Sequence, residues 1–146
     1  MEKTCCVTGH RDMDTEQMEE IRDALKKEVE KAVEDGYISF LSSFTGPAEQ
    51  VFAETVLDLK KDHPDLRLYA VIPYRNKLVR LMDQEAAKGL LDACEHAIIL
   101  KEEYQPNVYT ERNRYLAEHS DRSIIVNDGR EKGATVNMIL QFHRNK

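Results

Sequence analysis

The sequence predicts an α/β fold, a three-layer sandwich in which a mostly parallel sheet of about five strands carries helices on both faces. Three observations lead there. Short apolar runs alternate with amphipathic stretches in the order β-α-β-α-β-α-β-α-β-α, which favours a parallel sheet with right-handed crossovers. The strands are apolar runs rather than polar/apolar alternations, as expected when both sheet faces are covered. The first strand runs into Thr8-Gly9-His10-Arg11 and then a long helix, the strand–glycine turn–helix order of a phosphate-binding corner.

Residues 3–8 form the first strand. Met18, Ile21, Leu25, Val29 and Val33 recur every three or four residues and predict a helix over 14–35. Asp14 suits its cap, with Gln17 three residues on, and Gly36 suits its end. Tyr37 to Leu41 is the second strand. A helix over 47–62 starts with Pro47, suited to a first turn, and His63-Pro64-Asp65 breaks the chain. Leu66 to Ile72 is the third strand, ended by Pro73. Residues 76–92 are helical but less regular. Cys94 to Leu100 carries the fourth strand, 108–119 a helix, Ser123 to Val126 the fifth strand and 134–143 a last helix. No repeat, linker or low-complexity stretch divides residues 1–146, so one domain is expected.

The 146 residues suffice for one core. A net charge of -6 argues against general nucleic-acid binding, which needs a basic face. It leaves room for a small anionic ligand held by one or two arginines. Apolar runs are only strand-length, so no membrane span is expected. The first residues lack an apolar signal region. The three cysteines, Cys5, Cys6 and Cys94, read as reduced thiols of a cytoplasmic protein. Adjacent Cys5 and Cys6 point to opposite faces of a strand and serve as small core residues. No cysteine or histidine spacing suits a metal, so no metal site is expected.

Ligands of open α/β sheets bind beyond the carboxyl ends of the strands. Four segments there carry candidate chemistry. In the first, Gly9 lets backbone approach a ligand, and His10 and Arg11 offer donors to a phosphate or carboxylate; a plain tight turn is the alternative. In the second, Ser42-Ser43-Phe44-Thr45-Gly46-Pro47-Ala48-Glu49 places hydroxyls before a helix N-terminus, fit for an anion or for ordinary capping. Glu49 and Glu54 reach a ribose or substrate hydroxyl, or merely complement the helix dipole. In the third, Arg112-Asn113-Arg114 presents one arginine to the site, or all three residues form a solvated helix face. Tyr104 and Tyr109 flank that segment, either as base-stacking rings or as packing residues with wet hydroxyls. In the fourth, Asp128, Gly129, Gly133 and Thr135 surround a second helix start suited to a phosphate. The common kinase, dehydrogenase, serine-hydrolase and zinc-protease motifs are absent.

The run Cys5-Cys6-Val7-Thr8-Gly9-His10-Arg11 resembles the opening of the YpsA-like branch of the SLOG superfamily, which also includes the cytokinin-activating LOG proteins and the DNA-processing protein DprA. Phe52-Ala53-Glu54, the strand Leu68 to Pro73, Glu103-Tyr104, Glu111-Arg112-Asn113-Arg114-Tyr115-Leu116 and Asp128-Gly129…Gly133-Ala134-Thr135 extend the likeness over nearly the whole chain. The resemblance implies a Rossmann-like sheet and a pocket for a nucleotide or ADP-ribose-like ligand, with no cofactor required. By position the pocket would use Gly9, His10, Arg11, Ser42, Glu49, Arg112, Asn113, Asp128, Gly129, Gly133 and Thr135; Ser43 lies in the same loop.

The chain also departs from that pattern. Where the family has Ser-Gly-Gly-x-x-Gly-x-Asp, Ser43, Phe44 and Pro47 replace glycines and Glu49 lengthens the acid. Phe44 is therefore placed to cover or fill the pocket. Relatives that cleave nucleoside phosphates carry a glutamate closely after the last threonine, whereas Val136-Asn137-Met138-Ile139 follows Thr135 here. The expectation is a ligand-binding or sensing domain without catalysis. The alternatives are an N-glycosidic hydrolase using Glu49 or Glu54, and a degenerate scaffold acting through protein contacts. Many relatives continue into a further strand, so an open sheet edge and a homodimer or larger assembly are expected.

Overall fold

The computed structural model describes residues 3–9 and 15–126. Over these the chain runs β1 (Lys3–Gly9), α1 (Thr15–Glu34), β2 (Tyr37–Ser42), α2 (Pro47–Lys60), β3 (Arg67–Tyr74), α3 (Arg75–Met82), α4 (Glu85–Asp92), β4 (His96–Lys101), α5 (Val108–Glu118) and β5 (Arg122–Val126). The five strands pair in parallel in the order β4-β3-β2-β1-β5. Asp14 and the helix expected over 134–143 lie outside the described residues.

That order explains the layers. From β1 to β4 the chain steps one strand at a time in one direction, so right-handed crossovers put α1 to α4 on one face. The step from β4 to β5 reverses across the sheet and puts α5 on the other. The cores follow: Cys5 and Val7 pack with Leu25, Phe52, Leu81 and Leu91, and Cys6 packs with Leu116 and Ala117. Cys5 and Cys6 therefore face opposite layers, and burial pushes both thiols up. The strand order switches between β1 and β5, so the carboxyl ends of those two strands flank the crevice where ligands of such sheets bind.

Local chemistry accounts for the element ends. Gly36 stands after α1 at φ 93° and donates its N–H to the Val33 carbonyl at 3.0 Å, a glycine stop. Pro47 opens α2 behind the N-cap Gly46.

Three boundaries differ from expectation. Pro73 does not end β3, which runs on to Tyr74. It lies past Ala70, the last residue paired with β2, and outside the pairs with β4, so its missing N–H costs no ladder bond. The expected helix over 76–92 is two helices, separated at Asp83 and an extended Gln84. Leu81 and Ala87 would sit about 120° apart on one continuous helix; the break turns both into the core. Cys94 lies in the turn after α4 rather than starting β4, with its N–H on the Leu91 carbonyl and its thiol on that of Leu90.

Candidate functional site

The candidate site is built at the carboxyl ends of β1 and β2, against the first turn of α2 and one face of α5. Gly9 ends β1 because nothing larger fits. A Cβ there would stand 2.9 Å from that of Ala48 in α2 and 3.2 Å from that of Val126 in β5. This glycine lets the α2 start and β5 close on the end of β1.

The loop between β2 and α2 is held by its own hydroxyls. Ser42 donates to the backbone carbonyl of Glu49 at 2.9 Å, tying the strand end to the first helical turn. Ser43 and Thr45 share a hydrogen bond of 2.8 Å. None of these hydroxyls caps α2, whose N-cap is Gly46. Phe44 adopts φ 60°, the left-handed conformation that favours glycine, and its ring is fully buried among the α1- and α2-side core residues. The backbone thus keeps a glycine-type bend while the side chain fills space beneath it.

Glu49 is the most unusual group in this cluster. It is only 2% exposed. Burial pushes its carboxyl above the usual carboxylate range, opposed first by the nearby Arg112 charge and then by the backbone N–H groups of Glu49, Gly9 and Gly46. At the third position of α2 its carboxyl turns back on the N-cap amide, as glutamates there commonly do. One oxygen, Oε2, is buried without a hydrogen-bond partner. Thr8, next along β1 from Gly9 toward the strand interior, has a buried hydroxyl in the same state.

Arg112 reaches the cluster from α5. Its Nη1 donates to the Thr45 hydroxyl at 2.9 Å, while Nε and Nη2 grip the Asn113 side-chain oxygen at 3.1 and 2.7 Å. Its guanidinium lies 5.2 Å from the Tyr109 ring centre. Arg112 and Asn113 are both buried, so the run is not uniformly a solvated face; Arg114 is the solvent-facing member and pairs with Glu111 at 3.4 Å. A fixed arginine, an acid, hydroxyls and amides at one strand end form a set able to hold a polar, anionic or hydroxyl-bearing ligand.

The structure therefore brings together Gly9, Ser42, Ser43, Glu49, Arg112 and Asn113. It does not bring Glu54 with them: that carboxylate pairs with Arg22 of α1 at 2.8 Å on the outer surface of α2. His10, Arg11, Asp128, Gly129, Gly133 and Thr135 lie outside the described residues. Reasoning from sequence missed Thr45 as the acceptor for Arg112. Its signal was a third hydroxyl beside Ser42 and Ser43, which local spacing could not link to a residue 67 positions away. Among the described residues no group of three metal-binding side chains gathers, and no helix is long and apolar enough to cross a membrane.

Comparisons with known proteins agree with this architecture. The X-ray structure of TM1055 superposes with a TM-score of 0.62 over 97% of this chain and 69% of that one, at 14% identity, a likeness of fold. A UPF0398 protein of Brevibacillus brevis is 27% identical in an alignment of 124 positions that covers 78% of this chain and 63% of the relative. A UPF0398 protein of Bacillus pumilus is 25% identical in an alignment of 150 positions that covers 95% of this chain and 81% of that one. The family model described as the YspA SLOG family, YpsA, matches residues 5–146, and the chain belongs to that family.

Proposed function

We propose that the strand-end cluster binds a nucleotide or nucleotide-derived ligand, and that it senses this ligand rather than converting it. The observation that carries the reading is Glu49, a deeply buried carboxyl with an oxygen that has no hydrogen-bond partner. A buried polar atom left unpaired costs about 1–3 kcal/mol, and such atoms occur where a ligand or water completes them. The Thr8 hydroxyl adds a second such atom, and Arg112 supplies a positive charge against the same loop. A ribose hydroxyl or phosphate oxygen satisfies all three chemistries, and the reading needs no cofactor.

The absence of turnover rests on the acids. Cleavage of an N-glycosidic bond needs a carboxylate placed at the ribose. Glu54 is committed to Arg22, and Glu49 is tied back to backbone amides. Thermal-shift and calorimetric titration with ADP-ribose, nucleoside monophosphates and cyclic dinucleotides test binding. Base release from AMP tests turnover; the reading expects none, and release abolished by Glu49→Gln would replace it with the hydrolase.

One observation favours a second reading, a closed scaffold that acts through protein contacts. Phe44 is fully buried with a strained backbone, and Glu49 already turns toward the amides that a phosphate would use. On that reading Phe44→Gly, which opens the loop, gains a binding that the natural protein lacks. Self-association has its own place in the fold. β4 lies at an edge of the described sheet with Ile98, Ile99 and Leu100 only partly covered. A dimer mass in light scattering supports pairing there, and a monomer mass contradicts it.

A further inference from the structure

Tyr104 lies outside the cluster of Glu49 and Arg112, and its setting resembles a built surface rather than a stray side chain. It is 60% exposed. Tyr74 ends β3 opposite Lys101, the last residue of β4. The chain then turns through Glu102 and Glu103 so that the Tyr104 ring meets the Tyr74 ring edge-on, with centroids 5.3 Å apart and planes at 80°. An edge-to-face contact occupies at most one face of a ring, and the exposure of Tyr104 leaves aromatic surface open to solvent.

The parts beneath it are fixed. The Tyr74 hydroxyl accepts a hydrogen bond from Arg80, whose guanidinium also lies 5.7 Å from the Tyr74 ring centre. Arg75, at the start of α3, donates twice to Glu102 at 2.6 and 2.9 Å and ties the β4–α5 loop to the end of β3. This fork neutralises both charges beside the ring. An exposed aromatic seated on a second ring suits a flat heterocycle, because stacking asks for a π-face and no particular charge. Its place also fits. β3 is two strands from β1, about 10 Å at ordinary strand spacing, on the same carboxyl edge of the sheet as Gly9 and Ser42.

We propose that Tyr104, backed by Tyr74, is a nucleobase-stacking shelf, so that the ligand class is a nucleotide whose base lies over β3 and whose phosphate or ribose lies at β1 and β2. This inference rests on the nucleotide reading of the strand-end cluster. The test is calorimetric titration of the full chain with two probes, ADP-ribose and ribose 5-phosphate, the second lacking a base. Wild type binds ADP-ribose more tightly than ribose 5-phosphate. Tyr104→Ala weakens ADP-ribose by about tenfold, the order measured when base stacking is removed, and leaves ribose 5-phosphate unchanged. Tyr104→Phe keeps wild-type affinity for both. If Tyr104→Ala binds ADP-ribose as wild type does, or weakens both probes equally, the shelf is overturned while the cluster reading stands. If wild type binds neither probe, the shelf falls, and the cluster reading falls with it when nucleoside monophosphates and cyclic dinucleotides also give no heat.

Discussion

Arg112 in α5 and Thr45 in the β2–α2 loop, 67 residues apart, meet through a 2.9 Å hydrogen bond. This contact joins the two sides of the sheet's carboxyl edge, since α5 covers one face and α2 the other. Removing the arginine takes away one hydrogen bond to Thr45 and two to Asn113, and with them a positive charge close to Glu49. Arg112→Ala is expected to cost about 3 kcal/mol, the scale for breaking a buried charged contact. Urea denaturation checks it; a midpoint equal to wild type contradicts the buried contact.

Phe44 sets two effects against each other. The left-handed backbone at a non-glycine residue costs about 1–2 kcal/mol, and burial of a phenylalanine is worth about 3–5 kcal/mol on truncation. Phe44→Gly relieves the first and loses the second, so a net destabilisation of about 2 kcal/mol is expected. Thermal unfolding measures it. A variant as stable as wild type shows that the ring contributes little to the core.

Gly9 and Gly89 form a matched pair. An added Cβ at Gly9 meets Ala48 at 2.9 Å, whereas at Gly89, inside α4, it meets nothing within 4 Å. Gly9→Ala is expected to destabilise by about 1–3 kcal/mol through overpacking. Gly89→Ala is expected to stabilise by about 0.5–1 kcal/mol through helix propensity. Opposite signs in parallel denaturation experiments bear out the close approach of α2 to β1; equal signs contradict it.

Burial gives Glu49 a definite pH signature. Its folded pKa is raised, so above the ordinary carboxylate value the folded chain holds a proton that the unfolded chain releases. The unfolded state then binds fewer protons, and this group's contribution to stability falls as pH rises through that window. Exposed Glu102, held low by Arg75, acts in the opposite direction, so the difference between wild type and Glu49→Gln isolates the effect. Unfolding free energies measured from pH 4.5 to 8 are expected to decline more steeply in wild type. Parallel curves contradict a raised Glu49.

Much of this fold is legible in the sequence because local chemistry and tertiary packing agree there. Gly36 stops α1, Pro47 starts α2, and apolar runs mark strands covered on both faces. The break at Asp83–Gln84 was not legible, because nothing local demands it; it exists to turn Leu81 and Ala87 into one core. The candidate site was legible in part for the same reason. Gly9, Ser42 and Glu49 are marked by position after a strand, but the link from Thr45 to Arg112 and the seating of Tyr104 on Tyr74 are made by the topology. Phe44 is an intermediate case: the family pattern marks its position as a glycine site, and the φ of 60° is the backbone consequence.

The central claim, that the buried cluster around Glu49 and Arg112 receives a nucleotide-derived ligand, meets its most direct test in calorimetric titration of the wild-type chain with ADP-ribose. The account predicts saturable heat at one site per chain, with a matching rise in thermal unfolding temperature as expected for a ligand bound only by the folded state. No heat and no thermal shift with ADP-ribose, nucleoside monophosphates or cyclic dinucleotides would contradict it and leave the closed scaffold in its place.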